Sequence, residues 1–158
     1  MGRWAGVTLM GASSTLLSII QVYQTCDTSR AGAKTAHTQQ SSIIAATSTG
    51  NVHDKPRQCF QKDLKTTLKH LLQAHHELIV MGDFNDDVGP HSHSPMATLL
   101  NELGLVNLHS HHHPDSTLPR TYNCSLRTLD AIYGTSKVAN NIEAAGMEPF
   151  QDHLPSDH

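Results

Sequence analysis

The sequence is short of aromatic residues and has no excess of positive charge, and both shortages narrow the classes of protein it fits. Phe, Trp and Tyr make up 4% of the 158 residues, so we expect an aliphatic core. Lys and Arg total 11 against 14 Asp and Glu, which gives a formal net charge of -3. This balance excludes a protein that holds nucleic acid by charge alone. A bound metal ion can still supply positive charge.

Cysteine is scarce as well, with three residues far apart at Cys26, Cys59 and Cys124. Their spacing fits neither a zinc site nor a disulfide framework. We therefore expect free thiols in a reducing compartment, either the nucleus or the cytoplasm.

Long apolar runs are absent, so no membrane span is expected. The stretch Trp4–Ile20 after Arg3 mimics a signal peptide, but several Ser and Thr residues interrupt it. The pattern instead favours two strands, Trp4–Met10 and Leu16–Tyr23, joined by a turn.

The length fits one domain, residues 1–158, with strands and helices that alternate after the first pair of strands. Residues 35–47 predict either a short helix or a long surface connection. The later segments are predicted as a helix from Pro56, a strand at 78–82, a helix from Pro95 to about Gly104, a strand at 105–108, strands at 120–122 and 129–133, and a helix at 137–145. This order predicts the α/β class.

Polar residues follow the apolar strand 78–82, which is predicted to be buried on both faces. Asp83 and Asn85 are two positions apart, so on an extended backbone they point to the same side. A carboxylate beside an amide donor can position a nucleophilic water and hold a phosphate oxygen. The alternative is an ordinary polar turn.

Histidine is abundant, with 13 residues, and the densest group lies at His109–His113. This group is predicted to be a loop that ends at Pro114, with no periodic pair on a helix and no cysteine partner. We therefore expect adventitious metal binding there and not a dedicated zinc site.

The order of the polar motifs resembles the endonuclease/exonuclease/phosphatase superfamily, which has the DNase I-like fold. The motifs are an apolar strand that ends at Tyr23, Gly-Asp-Phe-Asn at 82–85, Leu-Asp-Ala-Ile-Tyr at 129–133 and Ser-Asp-His at 156–158. Connecting residues are similar to the retroelement branch of this superfamily, namely Thr35-Ala36, Gln39-Gln40, Pro56-Arg57, Phe60, Asp63-Leu64, Gly146 and Pro149-Phe150.

The resemblance implies a partial DNase I-like α/β sandwich, with mixed sheets flanked by helices, and a role for each matched residue. Tyr23 would approach the phosphate, Asp83 would orient or deprotonate the attacking water, and Asn85 would bind the phosphate. Asp130 would pair with His158, which would act on the scissile phosphate. Asp157 would contact Mg²⁺ or Mn²⁺.

The sequence departs from the superfamily pattern at both ends. Residues 1–22 contain no Asp, Glu or Asn, so the main metal-binding glutamate has no counterpart. The resemblance therefore implies that the first strands and the final strand of the fold are missing. We also expect an α-carboxylate at the terminal His158 to compete with phosphate.

Three readings of function remain open from the sequence. The first is a magnesium-dependent phosphodiester hydrolase that cleaves DNA, with impaired activity as a fragment. The second is a catalytically inactive remnant or binding module, and the third is a lipid or other phosphomonoesterase on the same fold. A soluble histidine-rich metal-binding protein is a more distant reading beside these three, and tight zinc binding that requires His109–His113 would favour it. No obligate protein partner is evident.

Overall fold

A mixed sheet forms the centre of the fold in the computed structural model, which describes residues 3–26, 35–47, 55–89, 91–116, 118–121 and 127–146. Its strands within these residues are β1 (Arg3–Met10), β2 (Leu16–Tyr23), β3 (Glu77–Asp83), β4 (Val106–Asn107) and β5 (Asp130–Gly134). The order across the sheet is β1-β2-β3-β5-β4, in which β2 and β3 are parallel and the other neighbours are antiparallel. The predicted hairpin is confirmed.

Helices connect these strands, and the first three of them lie at places where the sequence allowed or predicted a helix. They are α1 (Ala36–Thr47), α2 (Pro56–Gln73), α3 (Pro95–Glu102), α4 (Leu108–His112) and α5 (Ser136–Asn141). Residues 36–47 are thus helical and not an irregular connection. Proline at the first turn favours the starts of α2 and α3, and the Ser94 hydroxyl caps α3 by accepting the Ala97 N–H at 3.2 Å.

One face of the sheet is sealed by α2 and α3. The buried residues of this face and of the two helices form one core cluster, which includes Ile20, Val22, Leu78, Val80, Ala131, Tyr133, Phe60, Leu64, Leu68, Met96 and Leu100. The apolar positions of α2 recur at helical spacing, as Phe60, Leu64 and Leu68 show, so one side of the helix faces the sheet.

The opposite face of the sheet is only partly covered, which corrects the prediction that strand 78–82 is buried on both faces. Burial along β3 alternates: Leu78 and Val80 are fully buried, whereas Ile79 and Met81 are half-buried. On β5, Ile132 is 41% exposed. We call this side, defined by Ile79, Met81 and Ile132, the open face.

Short helices cover one end of the open face. A Cβ atom added to Gly134 would lie 3.0 Å from Val138 Cγ1 of α5 and 3.1 Å from Leu108 Cδ2 of α4. Both helices therefore pack against β5 at Gly134. The other end of the strand begins at Asp130, a polar residue.

Three further predictions are wrong. Of the predicted strand 120–122, residues 120 and 121 form no strand, and Tyr122 lies outside the described residues. The buried Thr121 binds the chain before β5 through its side-chain hydroxyl. Residues 109–112, predicted as part of a loop, are helical, and the predicted strand 105–108 is shortened to Val106–Asn107 because the helix begins at Leu108. The Asn107 side chain caps this helix by accepting the Ser110 N–H at 3.1 Å. The last helix ends at Asn141, because Ile142 has an extended backbone.

The α/β class predicted from the sequence is confirmed. Within the described residues, no helix has the length and apolar character needed to cross a membrane.

Candidate active site

Three predicted site residues form a row across the central strands. In the register of the sheet, Tyr23 of β2 pairs with Asp83 of β3, and Asp83 pairs with Asp130 of β5. Neighbouring strands lie about 4.8 Å apart, so the row is about 10 Å long. Alternation along the strands places these residues on the side of Met81 and Ile132, which is the open face. We call Tyr23, Asp83 and Asp130 the polar row.

Gly82 allows the backbones of β2 and β3 to approach closely beside the polar row. Its φ of +136° is rarely adopted by residues with a side chain, and a Cβ atom there would lie 2.0 Å from the carbonyl oxygen of Val22. The close approach brings the backbones of β2 and β3 together directly before Asp83. The glycine of the Gly-Asp-Phe-Asn motif is therefore a geometric requirement.

Asn85 holds the carboxylate of Asp83 from two directions. The Asn85 backbone N–H donates to Asp83 Oδ1 at 2.8 Å, and the Asn85 amide Nδ2 donates to Asp83 Oδ2 at 2.8 Å. Asn85 has a φ of +44°, a left-handed conformation that asparagine tolerates better than most residues. This turn, and not extended alternation, is how the two side chains meet.

The amide of Asn85 is fully engaged by the protein. Nδ2 also donates to the carbonyl oxygen of Gln24 at 2.8 Å, and Oδ1 accepts the thiol of Cys26 at 2.9 Å. Both amide protons thus have acceptors before any ligand arrives. For Asn85 to bind a phosphate, as the resemblance implies, at least one of these bonds must open.

Gln24 links the strand ends to α2, a role that sequence reasoning missed. Its side chain is fully buried, donates from Nε2 to the Phe84 carbonyl oxygen at 2.7 Å and accepts from Gln61 Nε2 at 3.0 Å. Its backbone N–H donates to the Asp83 carbonyl oxygen at 3.0 Å. The sequence carries no signal for this contact beyond the position of Gln24 after Tyr23.

The segment after Asp83 is anchored on the covered side. Phe84 and Val88 are fully buried; the ring of Phe84 meets Tyr133 edge-on at 6.1 Å, and the Tyr133 hydroxyl donates to the Val88 carbonyl oxygen at 3.0 Å. Burial raises the pKa of Tyr133, so this hydroxyl stays protonated as a donor.

A second anchor is an ion pair between Arg57 of α2 and Asp86, with 3.4 Å between Arg57 Nη2 and Asp86 Oδ2. Both side chains are largely shielded from solvent, and Asp86 Oδ2 also accepts the Met96 N–H at 3.2 Å. The bond places a carboxylate at the N-terminus of α3, where the helix dipole favours negative charge.

Asp130 is placed by the chain before it. The Thr121 hydroxyl oxygen accepts the N–H groups of Leu129 and Asp130, each at 2.8 Å. A hollow of about 330 Å³ lies beside Asp130, lined by Gln21, Met81, Gly82, Ala131 and Ile132. Asp130 thus borders open space on the open face.

The thiol of Cys26 lies beside Asn85, and both burial and the charge of Asp83 shift its pKa. Burial raises the pKa of this thiol, and the negative charge of Asp83 raises it further, while Arg57 opposes the shift. At neutral pH the thiol therefore keeps its proton and donates it to Asn85.

The structure brings together Tyr23, Asp83, Asn85 and Asp130. The predicted residues Asp157 and His158 lie outside the described residues. Within the described part of the chain, no group of three or more His, Cys, Asp or Glu side chains could hold a metal ion. The oxygen donors of Asp83 and Asp130 nevertheless fit Mg²⁺ chemically, since this ion often takes one or two carboxylates and keeps several waters.

Comparison with protein-family models and with curated protein sequences finds no match. Solved structures do match. The catalytic domain of human nocturnin with a bound sulfate anion aligns with a TM-score of 0.52 and 20% identity, over 84% of this chain and 41% of that one. The catalytic domain of Xenopus laevis APE2 aligns with a TM-score of 0.53 and 18% identity, over 87% of this chain and 46% of that one.

These alignments define the class of fold, a DNase I-like α/β architecture of which this chain spans less than half the length of either structure. The predicted DNase I-like α/β fold is confirmed by these likenesses.

Proposed function

We propose that the chain is a metal-dependent phosphodiester hydrolase that acts on DNA, as an endonuclease of the retroelement type. The observation that carries the proposal is the polar row, in which strand register aligns three residues that the resemblance assigns to phosphate chemistry. Together with a bound cation that offsets the negative charge of the two carboxylates, this set suits a phosphate group that is attacked by water.

Asp83 is the proposed group that orients or deprotonates the attacking water. Asn85 binds both oxygens of this carboxylate through its backbone and side-chain N–H groups, so the side chain is held in one orientation. Such preorganisation lowers the cost of bringing a nucleophile into line. Tyr23 lies beside it with 37% of its surface exposed, where its hydroxyl can approach a phosphate.

Asp130 is the proposed partner of His158, and it would hold that imidazole in one tautomer and raise its pKa. Mg²⁺ or Mn²⁺ is the proposed cofactor, with Asp157 as a ligand and with Asp83 and Asp130 as the nearby oxygen donors. When bound, the ion would neutralise charge on the phosphate oxygens.

Nucleic-acid binding without turnover is the second candidate function. It is favoured by the state of Asn85, whose amide protons are given to Asp83 and Gln24 and not to a ligand.

A plasmid-nicking assay with Mg²⁺ tests the proposal on this chain. We expect nicking that falls at least about 100-fold in Asp83→Ala, since loss of a general base or its equivalent costs about that much. Asp115→Ala is the matched control, because Asp115 is an exposed carboxylate outside the polar row.

Circular dichroism of each variant establishes that it is folded before activity is compared. Nicking that survives in Asp83→Ala would contradict the role of the polar row. DNA binding by a folded chain without nicking would replace hydrolysis with the second candidate, and turnover of phosphomonoesters alone would replace DNA as the substrate.

A further inference from the structure

The helical state of residues 108–112 changes what the histidine-rich segment can bind. His109 and the residue after α4, His113, are four positions apart, so they lie on the same side of the helical turn. Their ring centroids are 4.7 Å apart with an interplanar angle of 43°. A histidine pair at this spacing is a known way for a helix to present two ligands to one metal ion.

Polar atoms without partners gather in the same helix. Among the described residues, His109 Nδ1, Ser110 Oγ and His112 Nε2 are buried side-chain atoms that have no hydrogen-bond partner. Buried polar atoms in folded proteins are nearly always paired with protein, water or an ion. An ion bound at His109 Nδ1 would satisfy one of these atoms.

His113 is already oriented as a metal ligand should be. Its Nε2 lies 2.7 Å from the carbonyl oxygen of Ala145. A carbonyl only accepts, so Nε2 carries the proton and the lone pair of the neutral ring is on Nδ1. Histidines that bind metals usually donate their other ring N–H to a carbonyl or carboxylate in this way.

His109 borders a hollow of about 380 Å³ on the open face, whose wall includes Ile79, Met81 and Ala145. Along β3, Ile79 is four residues from Asp83, which corresponds to about 13 Å. The His109 end of the hollow is therefore distant from the polar row, although Met81 and Ile132 also line the hollow beside Asp130.

We propose that His109 and His113 form a binding site for a divalent transition-metal ion of the Zn²⁺ type. Imidazole nitrogens suit zinc, copper and nickel, whereas Mg²⁺ prefers oxygen ligands, so this ion is not the proposed hydrolytic cofactor. The described residues supply two ligands for this site. The ion would join the end of α4 to the segment at Ala145.

Zn²⁺ titration by isothermal calorimetry, on the metal-stripped chain, tests the site without reference to hydrolysis. We expect one saturable ion per chain, with affinity lowered at least about tenfold in His109→Ala and in His113→Ala. His111→Ala is the matched control, because His111 lies on the same helix, is exposed and contacts the ring of His112 instead. It should change the affinity less than about twofold.

Thermal unfolding gives a second readout, in which Zn²⁺ raises the midpoint of the wild-type chain and of His111→Ala but not of the other two variants. If His109→Ala does not fold, the His113→Ala variant provides the test, because His113 is exposed. Equal loss of affinity in His111→Ala, or binding that needs neither residue of the pair, would overturn the site. Millimolar Mg²⁺ that displaces Zn²⁺ would also overturn it.

Discussion

On one face of the sheet, β2, β3 and β5 are sealed beneath α2 and α3, whereas on the other face the same strands carry the polar row and two hollows. Leu78 and Val80 are fully buried, and the residues between and after them, Ile79 and Met81, are half-buried. A period of two along each strand thus assigns alternate residues to packing and to the site.

The two faces differ in what holds their side chains in place. The residues of the polar row project from β2, β3 and β5. Their positions therefore depend on how these strands pack against the helices on the opposite face. Gln24, Phe84 and the Arg57–Asp86 pair connect the two, because each joins the strand ends to α2 or to the core. Substitutions that disturb the packing of the covered face should therefore also displace the polar row. Substitutions on the open face should leave the packing of the core unchanged.

The largest expected effect comes from the backbone that the two faces share. Gly82→Ala should lower the free energy of unfolding by at least about 3 kcal/mol, because the new Cβ would meet the Val22 carbonyl oxygen at 2.0 Å in a strained conformation. Urea unfolding followed by circular dichroism measures this change.

Substitutions at two other glycines distinguish the cost of a positive φ from the cost of a steric clash. Gly104 has a φ of +70° and Gly146 does not share such a conformation, yet an added Cβ meets nothing within 4 Å at either position. Gly104→Ala should cost about 1 kcal/mol and Gly146→Ala less than about 0.5 kcal/mol. If Gly82→Ala costs no more than Gly104→Ala, the close approach of β2 and β3 does not constrain the fold.

The next effect compares the two faces directly. Leu64→Ala on α2 removes a fully buried side chain and should cost about 2–5 kcal/mol. Ile132→Ala removes a side chain that is 41% exposed on the open face, and it should cost about 1 kcal/mol or less. Denaturant midpoints of the two variants measure the difference, and equal costs would show that the open face is packed as tightly as the covered one.

Much of this architecture could be predicted from local patterns. Two apolar stretches separated by a Gly-Ala-Ser-Ser turn predicted the β1–β2 hairpin, and the spacing of Phe60, Leu64 and Leu68 predicted α2. Asp83 and Asp130 were predicted to belong to one site from their motifs. Strand register then placed them side by side, which no local pattern contains.

The rest depends on contacts between distant residues. The half-covered state of Ile79 and Met81 depends on which helices pack above them, and a run of four apolar residues looks the same in either case. The engagement of Asn85 by Gln24 and Cys26 crosses about 60 residues of chain. The turn of α4 was missed because the Asn107 cap was not recognised among the histidines.

The smallest expected effect tests the charge at the polar row through Cys26. Burial and the nearby Asp83 both raise the pKa of this thiol, so the reactive thiolate is scarce at pH 8. Asp83→Asn removes the negative charge, which should lower the pKa and shift the curve of alkylation rate against pH to lower pH. Since interactions of partly exposed charges are worth about 1 kcal/mol or less, we expect iodoacetamide to react about two- to fivefold faster at pH 8.

Mass spectrometry of the alkylated peptides measures this rate, with Cys59 in the same sample as the internal reference and Asp115→Asn as the control variant. An unchanged rate at Cys26 would mean that the charge of Asp83 does not act on the thiol. A faster rate at Cys26 alone would show that Asp83 is ionised while Asn85 binds it. That is the charge state which the proposed hydrolysis requires before a substrate arrives.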